Sequence, residues 1–124
     1  MKPKILVVDD DSEIFEILSD LLADEGFEVL WAKSAEEFRQ KTLAQKPDLI
    51  LLDVMLGSKN GPEAYKKMLA DGFDSRVPVI FISGLLQNDW ADPPMRPGRR
   101  YAMHAKPFKF DRLLSDIRFL TSAA

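Results

Sequence analysis

The chain of 124 residues contains no cysteine. Disulfides, thiolate nucleophiles and zinc–thiolate sites are therefore excluded, and the composition fits a reducing cytosol. Basic residues are not in excess: 17 Lys and Arg against 20 Asp and Glu leave a net charge of -3, so no global attraction to nucleic acid or to an anionic membrane is expected. No segment approaches the length of a membrane span, and the apolar run in "MKPKILVVDD" is too short for a signal peptide, which predicts a cytoplasmic location. Glycine-rich nucleotide loops, internal repeats, linkers and signs of a second domain are also lacking. What remains is 46% hydrophobic and 30% charged, the balance of one ordinary globular domain spanning 1–124.

Within that domain, short apolar runs alternate with amphipathic stretches. Residues 4–8, 27–32, 48–52, 77–83 and 101–105 read as five strands. The runs "ILVV", "LILL" and "VIFI" are apolar at every position, as in strands covered on both faces of a parallel sheet. Helices must supply the cover. The first carries Ile14, Ile17, Leu18, Leu21 and Leu22 on one stripe and stops at Gly26. The second opens with a capping box from Ser34 to Glu37, and the third runs from Gly61 and Pro62 to near Gly72. The last places Leu113, Leu114, Ile117 and Leu120 in the core. Between the fourth and fifth strands, Pro93, Pro94 and Pro97 forbid a regular helix, so the fourth helix is expected to be irregular or shortened. The alternation predicts an α/β, doubly wound parallel sheet with its ligand crevice at the carboxyl ends of the strands.

The polar residues fall at those ends. Asp9 and Asp10 follow the first strand, Asp53 the third and Lys106 the fifth, while Ser83 closes the fourth. Adjacent carboxylates repel one another unless a cation sits among them. Three carboxylates at one crevice suit a hard divalent cation with oxygen ligands, which points to Mg²⁺, and an aspartate beside such an ion is a reasonable nucleophile toward phosphorus. Lys106 and Ser83 would stabilise the charge of an arriving phosphoryl group.

With "ILVVDDDSEI", "PDLILLDVML", "VIFISG" and "KPF" in this order, the chain resembles the receiver (CheY-like) domain of bacterial two-component response regulators over nearly its full length. The resemblance implies a flavodoxin-like five-stranded sheet of order 2-1-3-4-5. It also implies that Asp53 is the phosphoacceptor, that Asp10 binds Mg²⁺ directly and Asp9 through water, and that the backbone carbonyl of Met55 completes the metal shell. Asp11 has no role in the family's metal site and is assigned to the start of the first helix by its charge. Gly61 and Gly84 match family glycines, one letting the chain turn into the third helix and one leaving room beside Ser83. The partners implied are a sensor histidine kinase or phosphotransfer protein and a downstream protein target; the irregular segment after Ser83 makes the 85–121 face the expected docking surface for that target. Such a domain is not an enzyme in the ordinary sense, since it promotes only its own phosphorylation and dephosphorylation.

The departures carry information too. Gly57 stands where the family has a proline, which implies a looser loop after Asp53. Met103 occupies the position, three residues before Lys106, of an aromatic that changes rotamer with phosphorylation. Tyr101 shares its strand parity and takes a packing role. His104 sits inside the fifth strand, and Arg96, Arg99 and Arg100 form a small basic patch. The alternative to a phosphoryl-accepting switch is a receiver-fold interaction module that is not phosphorylated. A phosphatase with an aspartate nucleophile would carry a second acid where Met55 stands, and a flavin phosphate would be repelled by "DDDSE".

Overall fold

Strands that are apolar at every position can be stable only when both faces of their sheet are covered, and among the described residues two pairs of helices supply that cover. A computed structural model describes residues 2–53, 55–56, 59–73, 76–83, 101–105 and 110–122. In chain order the elements are β1 (Lys4–Val8), α1 (Ser12–Asp24), β2 (Glu28–Ala32), α2 (Ala35–Gln45), β3 (Leu49–Asp53), β4 (Met55–Leu56), β5 (Lys59–Asn60), α3 (Gly61–Ala70), β6 (Val79–Ser83), β7 (Tyr101–Ala105) and α4 (Phe110–Ser122). Five strands form one parallel sheet in the order β2-β1-β3-β6-β7, which is the expected doubly wound arrangement. The expected irregular fourth helix, residues 85–100, lies outside the described residues.

Strand parity sorts the core into two layers. Ile5, Val7, Leu49, Leu51, Ile80 and Ile82 point to one face, where Leu18 and Leu22 of α1 and Leu113, Ile117 and Leu120 of α4 cover them. Leu6, Val8, Ile50, Leu52, Val79 and Phe81 point to the other, covered by Phe38 of α2 and by Tyr65 and Met68 of α3. Tyr65 is fully buried and meets Phe73 and Phe81 edge-on.

The stripe of α1 is narrower than its sequence suggests. Leu18 and Leu22 are fully buried, but Ile17 is 54% and Leu21 37% exposed. Phe15 joins Ile14 in packing against the core, so the buried line runs through 15, 18 and 22. Ile17 lies about 130° and Leu21 about 95° round the helix from the centre of that line, towards solvent. The expected burial of these two residues is therefore corrected.

Helix ends follow local rules. Ser34 accepts a hydrogen bond from the Glu37 amide at 3.2 Å, while the Glu37 carboxylate accepts one from the Lys33 amide, one residue before the cap. After α1, the amides of Gly26 and Phe27 donate back to the carbonyls of Ala23 and Leu22, with Gly26 at φ 92°. This closing turn requires a left-handed residue, and Phe27 after it joins Leu22 in the same buried cluster. Lys46 ends α2 with φ 51° and no such relief.

Gly26→Ala is expected to lower stability by about 1 kcal/mol, since a Cβ meets nothing within 4 Å there and only backbone strain acts. Lys46→Gly is expected to raise it by a few tenths to about 1 kcal/mol. Urea unfolding midpoints check both, and a Gly26→Ala midpoint equal to wild type would show that the turn relaxes without strain.

Candidate metal centre

The acidic residues converge because of strand register. β1 pairs with β3 from Ile5 opposite Leu49 to Val8 opposite Leu52, and one step further along both strands stand Asp9 and Asp53. The Asp9 amide still donates to the Ala32 carbonyl at 3.1 Å, so Asp9 remains tied to the sheet although β1 has ended. Asp53 is itself the last residue of β3, one place later than the sequence suggests, paired with Ile82 of β6.

Asp9 and Asp53 are 2% and 6% exposed, whereas Asp10 is open to solvent. One carboxylate oxygen from each of the three lies within 4.8 Å of the others. Two buried charges at such a separation repel by roughly 3–4 kcal/mol at the effective dielectric of a protein. A donor set made wholly of carboxylate oxygens, two of them screened from water, fits a hard divalent ion such as Mg²⁺ and offers nothing to a soft one.

The loop that carries these acids is held by several bonds. The Asp11 amide donates to Asp9 Oδ1 at 2.9 Å, and Asp11 Oδ1 in turn accepts from the Glu13 amide at 2.9 Å. Asp11 is thus the N-cap of α1, in extended conformation, and its service to the helix is a specific hydrogen bond as well as a charge. Trp31 Nε1 donates to the Asp9 carbonyl at 2.9 Å. Nothing in the sequence pattern singled out Trp31, because a tryptophan at the end of a strand reads as core.

The remaining expected site residues are placed only by their backbone or not at all. Met55 opens β4 two positions after Asp53, and β4 pairs with β5 as a short antiparallel ladder that the sequence did not announce. Ser83 ends β6 opposite Ala105, the last residue of β7. The Ser83 side chain, Gly57, Gly84, Arg96, Arg99, Arg100 and Lys106 lie outside the described residues. In β7, Tyr101, Met103 and His104 stand opposite Val79, Phe81 and Ile82, which places His104 within the strand as expected.

A sheet of this order with acids at its carboxyl rim is the architecture of a signal receiver, and comparison with known proteins agrees. The family model "Response regulator receiver domain" matches residues 5–118. The chain belongs to the response regulator receiver domain family of bacterial two-component systems, whose members are signalling switches and not ordinary enzymes. Among its relatives, the transcriptional regulatory protein DltR of Streptococcus agalactiae is 32% identical over 118 residues, covering 95% of this chain and 51% of that protein. The alkaline phosphatase synthesis transcriptional regulatory protein PhoP of Bacillus subtilis is 44% identical over 68 residues, covering 55% of this chain and 28% of that protein. The chain thus spans about half or less of the length of these relatives. Among solved structures, the receiver domain of NtrX from Brucella abortus superposes with a TM-score of 0.83 at 30% identity, covering 97% of this chain and 99% of that one. Among the described residues, no helix is long and apolar enough to cross a membrane.

Asp11→Ala is expected to lower stability by about 1 kcal/mol, and Asp11→Asn, which keeps the cap acceptor, to stay close to wild type. Thermal unfolding of the two variants separates the bond from the charge: equal losses would show that the charge alone matters.

Proposed function

We propose that this chain is a phosphoryl-accepting switch in which Asp53 takes the phosphoryl group. The reading is carried by one observation: three carboxylates from two adjacent strand ends, two of them buried, meet within 4.8 Å in a receiver fold. An oxygen of Asp53 attacks the phosphorus of a phosphohistidine, the phosphorus–nitrogen bond breaks, and the imidazole keeps the electron pair. Later a water oxygen attacks the same phosphorus, and the acyl phosphate separates into the Asp53 carboxylate and inorganic phosphate. The chain itself promotes both steps. Asp9, Asp10, Asp53 and the Met55 carbonyl would hold Mg²⁺. When bound, the ion supplies positive charge against the carboxylates and the transferred group. Ser83 donates a hydrogen bond to the phosphoryl oxygens and Lys106 offers them a compact cation.

The donor is a sensor histidine kinase or a phosphotransfer protein, since the sequence holds no nucleotide loop of its own. Residues 1–124 act as one receiver domain in the cytoplasm. The downstream protein target docks on the 85–121 face, where α4 exposes Phe119 at 70%. A receiver-fold interaction module without phosphorylation is the second reading, favoured by Met103 in place of the family's aromatic. The acidic cluster favours the first.

Asp10→Asn is expected to lose about tenfold or more in Mg²⁺ affinity, because it removes one charge from a small oxygen-ligand set. Acetyl phosphate with Mg²⁺ is expected to add one phosphoryl group to wild type and to leave Asp53→Asn unmodified, as read by intact-mass spectrometry. A labelled Asp53→Asn protein would overturn the assignment, and an unreactive wild type in the presence of Mg²⁺ would favour the interaction module.

A further inference from the structure

Proximity alone does not make a metal site out of three like charges, because the loop bearing two of them must resist their repulsion. Asp9 has a hydrogen-bond partner at its amide, its carbonyl and its carboxylate: Ala32 O at 3.1 Å, Trp31 Nε1 at 2.9 Å and the Asp11 amide at 2.9 Å. The first and last of these partners are backbone groups that almost any residue would supply. The middle one depends on a single side chain.

Trp31 stands on the edge strand β2, opposite Val7 in register. Its ring lies flat on Phe15 of α1, centroids 4.6 Å apart and planes within 6°, and the Lys33 ammonium sits 5.2 Å from the ring centroid. Its own carbonyl accepts a hydrogen bond from Lys41 of α2. The indole is therefore fixed at its face and through its backbone, and its N–H reaches the Asp9 carbonyl from a rigid base. A peptide unit is planar, so anchoring that carbonyl also fixes the plane that leads into Asp10. Asp10 is the exposed member of the acidic set and lies between β1 and α1, outside both. Its placement depends most on that plane.

We infer that Trp31 is a positioning residue for the metal centre: its indole N–H, braced by Phe15, orients the Asp9–Asp10 peptide and so presets Asp10 for Mg²⁺. This rests on the assignment of Asp9, Asp10 and Asp53 as the Mg²⁺ site. Trp31→Phe keeps an aromatic ring against Phe15 and removes only the donor. One net hydrogen bond corresponds to a loss of about threefold to tenfold in Mg²⁺ affinity, measured by NMR titration of the backbone amides. The same substitution made on top of Asp10→Asn is expected to have no further effect, which a merely structural tryptophan would not show.

Equal Mg²⁺ affinities for wild type and Trp31→Phe overturn the inference, and so does an equal weakening with and without Asp10. If wild type itself shows no saturable Mg²⁺ binding, the metal assignment falls instead. The positioning role is then decided in the metal-free protein, where Trp31→Phe is expected to speed amide hydrogen exchange at Asp10 and Asp11, and unchanged rates reject it. Should Trp31→Phe fail to fold, the benzothiophene analogue of tryptophan at position 31, in a Trp90→Phe background, removes the N–H while keeping the full ring and is read by the same measurements.

Discussion

The parallel pairing of β1 with β3 is the constraint on which the rest depends. Both strands lie inside the sheet, and their apolar residues are at most 1% exposed. Burial of that kind, at about 25 cal/mol per Å² of apolar surface, is the main force holding the two backbones in one register. The register then carries Asp9 and Asp53 to the same rim whether or not their charges favour it. Repulsion of a few kcal/mol between them is large beside the net stability of a small domain, so the acidic rim is tolerable only above a core packed on both faces.

Three consecutive aspartates show how position decides the task of a chemical group. Asp9 is buried and tied to the sheet, Asp10 is exposed in the turn, and Asp11 caps a helix. The side chains are identical. The first differs from the second because the β1–β2 ladder continues one residue past Val8, and the third because its carboxylate accepts the Glu13 amide at the start of α1.

Much of this was legible in the residues alone. Unbroken apolar runs gave buried strands, Ser34 with Glu37 marked a helix start, and Gly26 marked an end, because each of these signals acts within a few residues of chain. The acidic set was legible for a similar reason: strand ends in a doubly wound sheet share one rim, so Asp9, Asp10 and Asp53 could be brought together from topology. Ile17 and Leu21 were misplaced because an apolar residue on a helix reports affinity for a core and not the width of the surface that awaits it. Trp31 was missed because its hydrogen bond spans 22 residues and depends on register and on Phe15, neither of which composition encodes. The β4–β5 ladder went unread because two paired residues on each side leave no periodic pattern.

The same β1–β3 pairing has a consequence for how the chain reaches this structure. Joining these strands closes a loop that contains α1, β2 and α2, and the entropy of closing it is spent before most contacts are made. That closing motion is also what drives the Asp9 and Asp53 carboxylates together. The electrostatic opposition therefore works against the same pairing that apolar burial favours. An ion that screens the rim lowers that opposition.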